Sequence, residues 1–139
     1  MDTNKPNLYD ILDRFYQTLN EKDGEKLEGY FTDEAIYDDP DLGIVGLAVR
    51  TKSAVVRTLL AHMNSFSQLK IKIDGVLVEG NRATVTWTFQ GIITTDLIEK
   101  KFSGVDTLWF DNKGKIYQLR SKWNPSDHSY GKIEPVYRD

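Results

Sequence analysis

The sequence predicts an α+β fold, with helices from the first half of the chain laid on a curved, mainly antiparallel sheet drawn mostly from the second half. Two patterns predict it. Apolar residues recur at spacings of three and four over positions 8–19 and 55–66, the helical period, and alternate over positions 69–123, the strand period. Short turns at Gly80-Asn81 and around Asp111, Asn112 and Gly114 join the alternating runs into a meander, and helices segregated from a meander indicate α+β architecture. With 139 residues and 40% hydrophobic composition, one domain over 1–139 with a single core is expected.

Each element has a local reason. Asn7 is placed to cap a helix over 8–21, whose apolar stripe is Leu8, Ile11, Leu12, Phe15, Tyr16 and Leu19. After Asp23-Gly24, residues 25–31 read as a short second helix. Residues 35–39 then read as a strand stopped by Pro40, which cannot donate to a ladder, and Gly43 and Gly46 predict a mobile loop. Thr51 or Ser53 caps a third helix that runs through Val55, Val56, Leu59, Leu60, Met63 and Phe66. Strands follow over 69–79, 82–93, 101–110 and 116–123, with a polar connection at 94–96. Residues 125–139 carry two prolines and no periodicity, so an irregular extension is expected there.

Composition removes several function classes. Eighteen basic and twenty-one acidic residues are scattered to a net charge of −3, which offers no continuous positive footprint for nucleic acid. Cysteine is absent, and His62 and His128 are the only histidines, so there are no disulfides or thiolate nucleophiles and little material for a metal centre. No signal-peptide core and no 18-residue apolar run occur. A soluble, cytoplasmic protein is expected, without nucleic-acid or membrane partners and without a metal or organic cofactor.

One residue does not fit a plain core. Asp106 is in phase with Phe102, Gly104, Leu108 and Phe110, so the strand period puts a carboxyl on an apolar face. Burying it ionised and alone would cost several kcal/mol, by order of magnitude, so it must be solvated, paired, protonated or used. The neighbouring strands present Ala83, Val85, Trp87, Phe89 and Gly91 on one face, and Tyr117, Leu119, Ser121 and Trp123 on another. These rows are the wall of a core or, if the sheet curls away from the helices, of a pocket for an apolar small molecule. Ala35, Tyr37 and Asp39 share a face on the early strand, which brings a second carboxyl to the Pro40 loop, where the rim of a pocket and better solvation are expected.

The stretches FYQTLNEKDGEKLEGYFTDEAIYDDP and LWFDNKGKIYQLRSKW, in this order and spacing, resemble the NTF2-like superfamily, and within it the SnoaL-like polyketide cyclases and ketosteroid isomerases, over about 8–124. The resemblance implies a cone-shaped, cystatin-like roll: three N-terminal helices on a strongly bent sheet around an apolar pocket. Carried over residue by residue, the isomerase general base falls on Asp39 before Pro40, and the protonated acid of the oxyanion hole falls on Asp106. The first-helix tyrosine of that hole falls on Phe15, with Tyr16 one position on. The limonene-epoxide-hydrolase type requires an arginine two residues before its strand aspartate, where this chain has Gly104. Arg120 is in phase with Gln118 and Lys122 and is expected outside, so that mechanism is not expected.

What the resemblance implies for function is a cofactor-independent acid/base isomerase or cyclase. Its substrate would be an apolar, carbonyl-bearing small molecule, polyketide-, terpenoid- or steroid-like, of secondary metabolism. The candidate catalytic residues are Asp106, Asp39 and Tyr16. The candidate substrate contacts are Phe15, Tyr37, His62, Met63, Trp87, Leu119 and Trp123. The physical chemistry agrees with this division of labour: a carboxyl in apolar surroundings stays protonated and donates to a developing enolate oxygen, while a second, better solvated carboxylate takes the proton from carbon. The alternative is a non-catalytic small-molecule-binding or interaction module of the same fold. A homodimer through the outward rows of Thr84, Thr86, Thr88 and Gln118 is also expected.

Overall fold

The computed structural model describes residues 6–39, 48–95 and 97–123. The Pro40 stop, the glycine loop, Asp96, His128 and the C-terminal extension lie outside them. In chain order the elements are α1 (Leu8–Glu21), α2 (Gly24–Glu28), β1 (Phe31–Asp38), β2 (Val49–Arg50), α3 (Lys52–Asn64), β3 (Phe66–Glu79), β4 (Arg82–Ile93), β5 (Glu99–Phe110) and β6 (Ile116–Trp123). No helix among the described residues is long and apolar enough to cross a membrane.

The helices begin where capping chemistry places them. Asn7 accepts from the Asp10 amide at 3.2 Å, Asp23 from Lys26 at 3.1 Å and Thr51 from Ala54 at 3.3 Å. Lys22 closes α1 in the left-handed conformation, with its N–H on the Leu19 carbonyl. Two predicted ends are too long. The second helix stops at Glu28 and the third at Asn64, because Phe31 and Phe66, which continue the helical spacing by coincidence, instead open β1 and β3 and pair with Ile116 and Ile93. The first strand consequently starts four residues earlier than the expected Ala35, and the two-residue strand β2 was not anticipated.

The six-stranded sheet has the order β2-β1-β6-β5-β4-β3, antiparallel throughout except for the parallel pair β1–β6. That parallel pair matters for the site. Tyr37 lies beside Leu119 and Leu119 beside Leu108, while Asp38 lies beside Arg120; the next row therefore brings Asp39, just past β1, towards Ser121, Asp106 and Val85. Two carboxyls far apart in sequence thus meet on one concave face.

α1 packs on β3 and α3 on β1, and between helices and sheet lies the core, with Leu12, Phe15, Val55, Phe102 and Leu108 almost fully buried. Burying each such side chain stabilises the fold by roughly 1.5–3 kcal/mol before entropy is counted. α1 is also tied to the sheet's β3 edge: Asn20 donates to the Ile71 carbonyl at 3.0 Å and accepts from the Ile71 amide at 2.6 Å. The predicted inward row of β6 needs one correction. Trp109 pairs with Gln118 but Phe110 pairs with Ile116, so Tyr117 is the extra residue of a bulge; Ile116 turns inward and Tyr117 is 38% exposed. Arg120 points outward and lies 3.6 Å from Asp38.

Candidate active site

Helical and strand periods converge on one cavity of about 40 Å³ between α1, α3 and the concave sheet face. A single water needs roughly 10–15 Å³, so the side chains as arranged admit a few waters or the reacting end of a molecule, not a polycyclic skeleton. All ten residues singled out from the sequence line this cavity: Phe15, Tyr16, Tyr37, Asp39, His62, Met63, Trp87, Asp106, Leu119 and Trp123. Leu19, Leu59, Ile71, Phe89 and Ser121 line it as well and had not been chosen. For Phe89 and Ser121 a signal was present, since strand alternation places both on the inner face. Ile71 carried the same signal, since Leu69, Ile71 and Ile73 alternate with Lys70, Lys72 and Asp74.

The polar end consists of two tyrosine–aspartate pairs. Tyr16 Oη donates to Asp106 Oδ2 at 2.5 Å, and Tyr37 Oη donates to Asp39 Oδ2 at 2.8 Å. It is Tyr16, not Phe15, that faces the strand carboxyl. Phe15 meets the rings of Tyr30 and Phe31 edge-on, at 5.6 and 5.8 Å, which turns the helix so that the next residue reaches Asp106. Asp39 is not the well-solvated rim residue expected from its neighbouring proline. It is 7% exposed against 5% for Asp106, because Tyr37 and the inner face of the sheet enclose it.

Burial sets the protonation pattern. It pushes the Asp106 carboxyl above the ordinary range, against the donors Tyr16, Ser121 and Trp87, which pull it down. Tyr16 is raised well above 10 by burial, then by Asp106, and Tyr37 likewise by burial, then by Asp39. His62 falls to about 4 through burial, so its ring is neutral at ordinary pH. Trp87 is near enough to act on Asp106, yet Trp87 Nε1 and Asp106 Oδ1 are both buried and complete no hydrogen bond with any described residue.

The other end is aromatic. His62 stacks on Trp123 at 5.0 Å and 9° and on Phe89 at 5.9 Å and 15°, and Trp123 stacks on Phe102 at 4.5 Å and 22°. Trp87 covers Gly104: a Cβ there would lie 2.5 Å from the indole ring and 2.8 Å from the Lys122 carbonyl. An arginine two residues before Asp106 is therefore incompatible with this packing. Among the described residues no group of three or more His, Cys, Asp or Glu side chains is placed to hold a metal ion.

This arrangement can be compared with known proteins. The SnoaL-like domain profile matches residues 12–119, most of the chain and nearly every element described above. The chain belongs to the SnoaL-like domain family. Within the NTF2-like superfamily, this SnoaL-like protein is similar in structure to SalBIII, an epoxide hydrolase/cyclase-like enzyme described in pyran ring formation of the polyether salinomycin. The TM-score is 0.73 at 18% identity, covering 86% of this chain and 92% of that one. It is likewise similar to an LEH-like epoxide hydrolase of M. tuberculosis, with TM-score 0.72, 18% identity and coverage of 94% and 92%. A de novo designed protein with a curved β-sheet matches at TM-score 0.66 and 13% identity, covering 94% of each chain, so the fold can be had with no inherited site. No curated protein matches the sequence significantly.

Proposed function

We propose that this SnoaL-like protein is a cofactor-independent acid/base isomerase or cyclase acting on an apolar small molecule that bears a carbonyl oxygen. The observation that carries this reading is the pair of carboxyls lining one small cavity, each held by its own tyrosine, with an aromatic wall opposite. Asp106, kept towards its neutral form by burial, donates to the substrate oxygen and stabilises the negative charge that develops there. Asp39, which accepts from Tyr37, takes a proton from the carbon next to the carbonyl. Returning that proton to another carbon of the conjugated system completes an isomerisation. Attack of the enolate carbon on a second electrophilic carbon, with proton return to the new alkoxide, completes a cyclisation. The cyclase-like naming of SalBIII supports the second outcome. The cavity volume implies that only the oxygen-bearing end enters, while the rest of the molecule lies along His62 and Trp123.

Proton exchange tests this directly. A panel of small ketones and enones in D2O, followed by NMR, is expected to take up deuterium next to the carbonyl faster with enzyme than with buffer. Asp39→Asn and Asp106→Asn should each lower that rate by about 10²–10⁴-fold. Undiminished exchange in both variants would remove the assignment. Ligand binding without any exchange would favour the alternative, a non-catalytic binding module of the same fold.

A further inference from the structure

The acid/base reading uses the carboxyl end of the cavity and leaves a polar side chain at the aromatic end without a task. Leu59, His62 and Met63 of α3 line the cavity, and of these the histidine alone carries side-chain nitrogen. Helical spacing puts it there, three residues after Leu59 and four before Phe66, both buried. Most buried polar side chains are tied to a partner. His62 is part-buried and is tied to none: its side-chain contacts are the rings of Phe66, Phe89 and Trp123, and neither ring nitrogen bonds to any described residue. Nor is either nitrogen sealed off, so a ligand can reach them. Stacking within 9° of Trp123 and 15° of Phe89 fixes the plane in which the nitrogens lie. With a pKa lowered to about 4 by burial, the ring is neutral at ordinary pH and a weak base, suited to binding rather than to taking a proton from an alcohol.

We infer that His62 is a hydroxyl-binding subsite and that the substrate is a hydroxy ketone, with its carbonyl oxygen at the carboxyls and a hydroxyl at the imidazole. The inference rests on the acid/base reading, which sets the carbonyl end, and adds a specificity-determining residue at the opposite end. A neutral imidazole carries one N–H donor and one bare acceptor nitrogen. A hydroxyl both donates and accepts, so it matches whichever nitrogen faces it. An alkyl group in the same place desolvates the ring and returns no hydrogen bond. A carboxylate or an ammonium meets no opposite charge on a neutral ring.

The probes are 3′- and 4′-(hydroxymethyl)acetophenone, with 3′- and 4′-ethylacetophenone as the analogues in which methyl replaces hydroxyl. In His62→Phe the ratio of the two affinities should shift towards the ethyl compound by about three- to tenfold. His62→Gln, whose amide keeps a donor and an acceptor, should hold part of that ratio, which a merely space-filling role would not produce. In the parent labelled with 15N-histidine, the hydroxymethyl ketone should displace a ring-nitrogen signal of His62, upfield where the bare nitrogen accepts or downfield where the N–H donates, and the ethyl compound should not. His128 is the only other histidine, so His128→Gln identifies the signal, and this readout does not depend on a His62 variant folding. An affinity ratio equal in His62→Phe and the parent, or a His62 signal that answers both ketones alike, overturns the subsite; deuterium uptake that still depends on Asp39 then leaves the acid/base reading standing. A ratio that depends on His62 in a protein with no such uptake keeps the hydroxyl subsite and removes the acid/base reading, and with it the assignment of the carbonyl end.

Discussion

The two tyrosine–aspartate pairs look alike in chemistry and differ in origin. Tyr37 and Asp39 are two residues apart, on the same side of one extended segment, so their meeting follows from strand geometry alone. Tyr16 and Asp106 are ninety residues apart, one on α1 and one on β5, and meet only when the helix is docked. A local pair forms early and tolerates small shifts of the fold. A long-range pair reports on the docking itself, and here it leaves one carboxyl oxygen uncommitted at the cavity. In the function proposed above, the two carboxyls take distinct tasks: the one held by tertiary structure would be the positioned acid, and the one held by its own strand the base.

The sharpest way to break this comparison is kinetic. Asp106→Asn keeps a donor at the site but loses the proton, and should lower turnover of any carbonyl substrate by about 10²–10⁴-fold. Asp39→Glu, which keeps a base on a local and forgiving tether, should lose far less than Asp106→Glu, measured as kcat under saturation. A smaller effect is expected in stability. Tyr16→Phe leaves Asp106 Oδ2 buried without its donor and should cost about 1–3 kcal/mol in urea unfolding. Tyr37→Phe should cost less, since Asp39 has further contacts.

The pH dependence separates the pairs again. Tyr16 pulls the Asp106 pKa down, so Tyr16→Phe should move the basic limb of the pH–rate profile to higher pH, and Tyr37→Phe should leave that limb in place. Because the folded-state pKa of Asp106 is raised above 3.8, its contribution to stability is fully present below that value and is lost as pH rises through the folded pKa. Asp106→Asn should therefore melt higher than the parent at pH 7, with the gain vanishing near pH 3. His62 has the opposite sign: with a folded pKa of about 4 against 6.5, its contribution is complete above 6.5 and is lost as pH falls towards 4. His62→Gln should flatten the thermal-melting profile over that window, the smallest of these effects.

Much of this was legible in the chain because period and capping are local. The bounds of α1 follow from Asn7 and its stripe, and Asp106 declared itself as a carboxyl in phase with Phe102 and Leu108. What escaped was set by partners distant in sequence. One residue is about 100° of helix, so choosing between Phe15 and Tyr16 required knowing where Tyr30 and Phe31 lie. Phe31 and Phe66 continued a helical spacing past true caps, and only strand pairing removes them from the helices. Tyr117 went to the wrong face because alternation does not reveal a bulge. The burial of Asp39 and the size of the cavity depend on what packs above the sheet, which neither periodicity nor composition contains.

The tie between Asn20 and Ile71 has a consequence beyond holding α1 in place. A carboxamide offers the same C=O and N–H as a peptide unit, and here it occupies the outward-facing hydrogen-bonding positions midway along the outermost strand, while Lys22 Nζ donates to the Phe66 carbonyl further along. A foreign strand arriving at this border finds its template interrupted, with no uninterrupted ladder over the first half of β3 to copy. The chain thus carries its own chain terminator for sheet growth, written as a single asparagine on a helix that never joins the sheet.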